Sequence, residues 1–211
     1  HTHGKYVAMC EGDDYWIDPL KLQKQVDFLE NNPEYTMCFH NAVVYKEEIP
    51  NVSLFNLMKY DEDLSIHDAI HKWLVPTASI VFRRDAIPNY PQWMPRIYSG
   101  DYSLVLLALY YGKVRYLHSI SSVYRLSYST GSMSTLMKNQ GMFVIQQHLF
   151  LLKAYNKGTN YIFKKEVDSR IKELEKELHF QKAKKTKNIY YLLLSVDLIV
   201  KKGLNRLGLK G

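Results

Sequence analysis

The chain has 211 residues, 46% of them hydrophobic, and a formal net charge of +7 at pH 7; this allows one domain with an appendage and excludes wholesale disorder. Residues 1–159 hold 15 Lys and Arg against 15 Asp and Glu, whereas residues 160–211 hold 13 against 6. The excess therefore sits at one end, which argues against a nucleic-acid-binding domain and for local contact with an anionic surface.

The opening His1-Thr2-His3-Gly4-Lys5 lacks the charged-then-apolar start of a secretory leader. Tyr6-Val7-Ala8-Met9-Cys10 reads as a strand that delivers Glu11, Asp13 and Asp14 to its end. Carboxylates this close repel one another, and a divalent cation relieves them; all-oxygen ligands suit Mg²⁺ or Mn²⁺. A solvated acidic turn is the alternative, since Gly-Asp-Asp is ordinary loop chemistry. Residues 19–31 read as a helix with Leu22, Val26 and Leu29 on its inward stripe, stopped by Asn31-Asn32-Pro33. Residues 35–45 follow as a strand and 46–64 as a variable loop. Ser65 caps a short helix running to Lys72, and 77–82 is a strand. The stretch from Pro88 to Pro95 is irregular, because proline lacks the backbone donor. A helix then runs from Ser99-Gly100-Asp101 to a C-cap at Gly112, followed by short strands at 114–117 and 121–125. From about residue 136 the pattern is helical. This alternation predicts an α/β domain over 1–135 and a helical region over 136–211. Cys10 and Cys38 have no C-x-x-C spacing and read as reduced, buried thiols of a cytoplasmic protein. His67 and His71, at i and i+4 without a third ligand motif, read as a surface pair.

The run from Gly4-Lys5-Tyr6 through Glu11-Gly12-Asp13-Asp14 to Asp18-Pro19-Leu20-Lys21-Leu22-Gln23-Lys24-Gln25 resembles the middle of a family 2 glycosyltransferase with the GT-A fold. In that family a Gly-Lys-Tyr strand leads into a D-x-D-type motif, then a Pro and a Lys-Leu-x-x-Gln helix; here the motif reads E-x-D-D. The resemblance implies a partial GT-A domain, Rossmann-like with a mixed sheet, followed by C-terminal helices. It also implies that Asp13 and Asp14 hold a metal bridging the diphosphate of a nucleotide sugar, with Glu11 on the donor side. The catalytic base falls at Asp101, in a G-D pair with Gly100 before a Leu-rich helix, although an Asp in a first helical turn is favoured by the macrodipole whatever its function. Thr77-Ala78-Ser79-Ile80-Val81-Phe82 resembles a strand flooring the acceptor site, or is a buried strand with a basic exit. Thr77, Ser79 and Gly100 thereby become acceptor neighbours. Trp73 either stacks on a sugar ring or belongs to the core. The stretch from Tyr124-Arg125 to Ser132-Met133-Ser134 resembles a loop closing over the diphosphate, with Arg125, Ser132 and Ser134 as phosphate donors. Ser127 stands where the family often carries His, and a Ser/Gly surface loop is the alternative.

These readings set the expected activity: inverting, metal-dependent transfer of a sugar from a nucleotide donor, a UDP-sugar, to a hydroxyl of a saccharide or lipid-linked acceptor. Such chemistry serves polysaccharide or glycolipid assembly. Family members carry nucleotide-binding strands ahead of this region, so the chain is expected to be truncated; the rival reading is a non-catalytic remnant acting as a binding or scaffold module. Near the other end, Val167, Ile171, Leu174 and Leu178 form an apolar stripe, four lysines crowd 182–187, and 189–200 is apolar but too short to span a bilayer. That region reads as a helix on the inner membrane surface, making the protein cytoplasmic and peripheral, or as a terminal helical hairpin.

Overall fold

The computed structural model describes residues 3–46, 51–97, 99–126 and 141–186. The chain divides into two compact units, His1–Thr135 and Leu136–Gly211. The first is an α/β fold built on a seven-stranded mixed sheet. Its strands are β1 (Tyr6–Ala8), β2 (Tyr15–Trp16), β3 (Tyr35–Lys46), β4 (Asn51–Leu54), β5 (Glu62–Asp63), β6 (Val81–Arg83) and β7 (Lys113–Leu126). The helices are α1 (Lys21–Asn31), α2 (Ile66–His71) and α3 (Gly100–Tyr111). Strands lie in the order β1-β6-β3-β7-β2, with β4 beside β3 and β5 beside β7.

β3 and β7 form the spine. They are 12 and 14 residues long and pair in parallel from Tyr35 opposite Lys113 to Lys46 opposite Leu126. Residues 35–42 of β3 are buried without alternation, as expected of a strand covered on both faces. The two short strands expected at 114–117 and 121–125 are this single strand β7. Its pairing with β3 continues through register shifts at Phe39/Asn41 and Asn41/Ala42, so no turn intervenes.

Three further expectations are corrected. The 46–64 segment is not all loop: β4 and β5 take backbone pairs along the free edges of β3 and β7, a gain that side-chain periodicity does not register. Residues 77–82 are not one strand, because Thr77–Ser79 form a 3-10 turn before β6. There Ser79 Oγ donates to the Pro76 carbonyl at 2.6 Å, a local bond that competes with a sheet ladder. In α1 the inward row is Lys21, Gln25 and Leu29, while Leu22 is 40% exposed. The polar pair turns inward because it has partners there. Lys21 Nζ donates to Gln25 Oε1 at 2.8 Å, and Gln25 Nε2 donates to the Ser79 carbonyl at 2.8 Å.

Leu29, Tyr35, Cys38 and Val81 form a core cluster with Tyr6, Phe28 and Leu117 packed on it. Cys38 is buried as expected, but Cys10 is exposed, since β1 ends two residues before it. α3 is buried continuously from Tyr102 to Ala108, the behaviour of a helix apolar on every face. Gly112 ends it with an extended φ of 176°. Close approach requires glycine there: a Cβ would meet Thr36 Cγ2 at 2.6 Å and the Glu34 carbonyl at 2.9 Å. Ser65 caps α2 as expected, its Oγ accepting the Asp68 N–H at 3.0 Å. His67 and His71 are stacked on the surface of α2 with ring centroids 4.4 Å apart.

In the second unit, α4 (Gly141–Gly158) and α5 (Lys164–Thr186) pack as an antiparallel hairpin. Asn156 donates to Asp168 at 3.0 Å, and Lys153 pairs with Glu175 at 2.8 Å. Val167, Leu174 and Leu178 of the apolar stripe are buried. Residues 187–211 lie outside the described ones. No helix among the described residues is long and apolar enough to cross a membrane.

Candidate active site

The acidic residues leave β1 in a turn closed by the Asp14 N–H donating to the Glu11 carbonyl at 3.1 Å. β2 follows immediately and pairs with β7, Tyr15 opposite Val123 and Trp16 opposite Ser122. The end of β7 then braces the turn: the Arg125 backbone N–H donates to Asp14 Oδ1 at 3.0 Å, and Arg125 Nε donates to the Asp13 carbonyl. Arg125, expected to serve phosphate, thus holds the carboxylate turn in place. Ser132 and Ser134 lie outside the described residues.

From the other side, Thr77–Ser79 brings Thr77 against the start of α3. Thr77 Oγ1 donates to Asp101 Oδ2 at 2.8 Å, and the Tyr102 N–H donates to Asp101 Oδ1 at 2.8 Å. The Glu11 carboxyl is pushed up to about 7 by desolvation, then by the charges of Asp101, Asp14 and Asp13. Glu11 keeps an exposed outer surface while protein crowds its carboxyl. Two acids about ninety residues apart in the chain are therefore coupled by charge. Asp101 is also raised above the ordinary carboxylate range, by desolvation, with Thr77 and the Tyr102 amide opposing.

Asp14 is buried, and its carboxyl is raised to about 6 by desolvation; the Arg125 amide opposes the rise and the charge of Asp13 adds to it. Its Oδ2 is buried without a hydrogen-bond partner. An orphaned carboxylate oxygen in a crowd of acids is costly, and a cation is the chemistry that relieves it. Asp13 is exposed beside it. Among the described residues no three His, Cys, Asp or Glu side chains converge as a closed cation cage. Mg²⁺ does not need one: it is bound through one or two carboxylates, with water and substrate phosphates completing its shell. The residues present fit such an ion, and Asp13 and Asp14 are those that would hold it.

The residues expected at the acceptor separate. Trp73 is 46% exposed and lies with its ring centroid 5.7 Å from that of Tyr102. With Asp101, Tyr102 and Val105 it lines a small cavity. Gly100 is exposed, and a Cβ there would meet nothing within 4 Å, so approach to Asp101 from that direction is open. Thr77 is buried and acts by holding Asp101. Ser79 is fully buried and spends its hydroxyl on Pro76, which removes it from the acceptor residues.

Residue-by-residue reading missed the support beneath the acidic turn. Trp16 Nε1 donates to the Ala78 carbonyl at 2.9 Å, and the buried Lys21 ammonium sits 4.4 Å from the Trp16 ring centroid. The turn bearing the acids and the turn bearing Thr77 are thereby tied together. The available signal was a Trp directly after the acidic run, with a lysine and a glutamine at i and i+4 beginning five residues beyond it.

No family model matches the chain. It is 38% identical over 124 residues to the uncharacterized proteins Mb1547 of Mycobacterium bovis and Rv1520 of Mycobacterium tuberculosis. Each alignment covers 59% of this chain and 35% of the relative, so the chain spans about a third of the length of the curated relatives it matches.

Proposed function

We propose that this chain carries the metal- and acceptor-binding part of a transferase that moves a sugar from a nucleotide donor, a UDP-sugar, to a hydroxyl acceptor with inversion. The observation that supports this most is the crowding of Glu11 against Asp101, itself held by Thr77, beside the Asp13–Asp14 turn. Asp101 takes the proton of the acceptor hydroxyl as its oxygen attacks the anomeric carbon; the bond to the departing diphosphate breaks in the same displacement. Desolvation raises Asp101 towards the range where a carboxylate is an effective base. A Mg²⁺ or Mn²⁺ held by Asp13 and Asp14 supplies, when bound, positive charge against the diphosphate. Thr77 fixes the Asp101 rotamer, and Arg125 keeps the acidic turn closed. The reading carries with it a cytoplasmic location and polysaccharide or glycolipid assembly as the setting.

The test is calorimetric titration of UDP into the 211-residue chain with Mn²⁺, followed by UDP release from a panel of UDP-sugars. We expect Mn²⁺-dependent UDP binding that Asp13→Asn abolishes. Asp101→Asn keeps the binding and lowers turnover by ~10²–10⁴-fold, the usual worth of a general base. Absence of Mn²⁺-dependent UDP binding would favour the non-catalytic binding module instead.

A further inference from the structure

The small cavity beside Asp101 has a larger neighbour. Lys72 and Leu74 line it and also line a second hollow of about 490 Å³, walled by Phe55, Leu57, Met58 and Glu62. That size falls within the ~300–1,000 Å³ typical of small-molecule sites. Its rim is held in advance by two buried asparagines. Asn41 Nδ2 donates to the Asn56 carbonyl at 2.9 Å, and the Asn56 N–H donates to Asn41 Oδ1 at 3.1 Å. Asn56 Nδ2 donates to the Leu74 carbonyl at 2.8 Å, and the Met58 N–H donates to Asn56 Oδ1 at 3.2 Å. Residues 56, 58 and 74 are thus fixed relative to one another and to β3.

The charges around this hollow are largely spent on each other. Lys72 pairs with Asp68 at 2.7 Å, and Asp63 takes Arg115 at 2.9 Å. Glu62 adds one more acid, so the rim is net negative and offers no uncommitted cation to a phosphate, sulfate or carboxylate. Between the acids lie apolar side chains, among them Leu57 at 83% exposure. Apolar patches interleaved with hydrogen-bond acceptors suit a ring that presents C–H faces and hydroxyl donors together.

We propose that this hollow holds the outer residues of an uncharged saccharide acceptor whose reactive hydroxyl reaches Asp101 past Trp73. The link to Asp101 rests on the transferase reading; the saccharide site itself does not. Saturation-transfer NMR and calorimetry on the 211-residue chain would use maltotriose, cellotriose and chitotriose, with trigalacturonate and inorganic phosphate as anionic counterparts. At least one uncharged trisaccharide should bind and the anions should not. Leu57→Asp, at an exposed position that folding tolerates, should weaken that binding by about tenfold or more. Glu62→Lys should admit trigalacturonate. Failure of all three uncharged trisaccharides to bind, or binding unaltered by Leu57→Asp, overturns the proposal. Mn²⁺-dependent UDP binding, measured on the same samples, separates the two failures: a wrong groove leaves it intact, whereas a wrong transferase reading removes it and leaves trisaccharide binding in place.

Discussion

Glu11 and Asp14 carry the clearest pH signature among the described residues. Their folded carboxyls lie at about 7 and about 6, against ordinary values of 4.5 and 3.8. Between those values the folded chain binds more protons than the unfolded chain, so stability is lost as pH rises. The contribution is fully present below the ordinary values and gone once pH has passed through about 7. Glu11→Gln removes the larger shift, so the melting temperature of that variant should gain on the parent between pH 4.5 and 7.5. A difference that stays flat across that window would mean that Glu11 is not crowded by Asp101 and its neighbours. The acids themselves were legible as a run of types in the chain. The coupling of Glu11 to Asp101 was not, because the two are brought close only after the sheet has formed.

At the scale of elements, α1 is the informative case. Its apolar spacing selects Leu22, Val26 and Leu29, yet the fold turns Lys21 and Gln25 inward with Leu29. Hydrophobic periodicity assumes that polar groups prefer water, an assumption that fails where buried partners wait. Gln25 faces the Ser79 carbonyl, and Lys21 lies under Trp16 with its ammonium pushed down to about 8 by burial. Gln25→Leu leaves a buried ammonium and a buried carbonyl without their partner, and we expect a loss of ~1–3 kcal/mol in urea unfolding. Lys21→Met removes the charge itself and should cost less, because no uncompensated ion remains. The reverse ranking would show that the cation under Trp16, rather than the glutamine bridge, holds α1 to the acidic turn. The same logic accounts for β5, whose two acidic residues carry no strand pattern and pair with β7, whereas β4 alternates Val52 and Leu54 with polar neighbours over only four residues and pairs with β3.

For the whole molecule, the excess of Lys and Arg lies in residues 160–211. On the proposed reading, contact with an anionic membrane surface falls to the lysines at 182–187 and the apolar run 189–200. The 211-residue chain should pellet with anionic vesicles in a salt-sensitive manner, and a chain ending at residue 181, without those lysines and the apolar run, should stay in the supernatant; equal pelleting of both removes the idea. The sequence alone determined the α/β class, the helical end region, the Ser65 cap and the presence of a crowded acidic turn. Each of these depends on neighbours in the chain or on the average preference of side chains for water. Only the tertiary structure decided which face of α1 is inside, that 51–63 contributes strands, that Ser79 is sealed, and that Thr77 holds Asp101. Those outcomes rest on hydrogen-bond partners supplied by distant segments, and local patterning holds no record of a partner that only folding brings near.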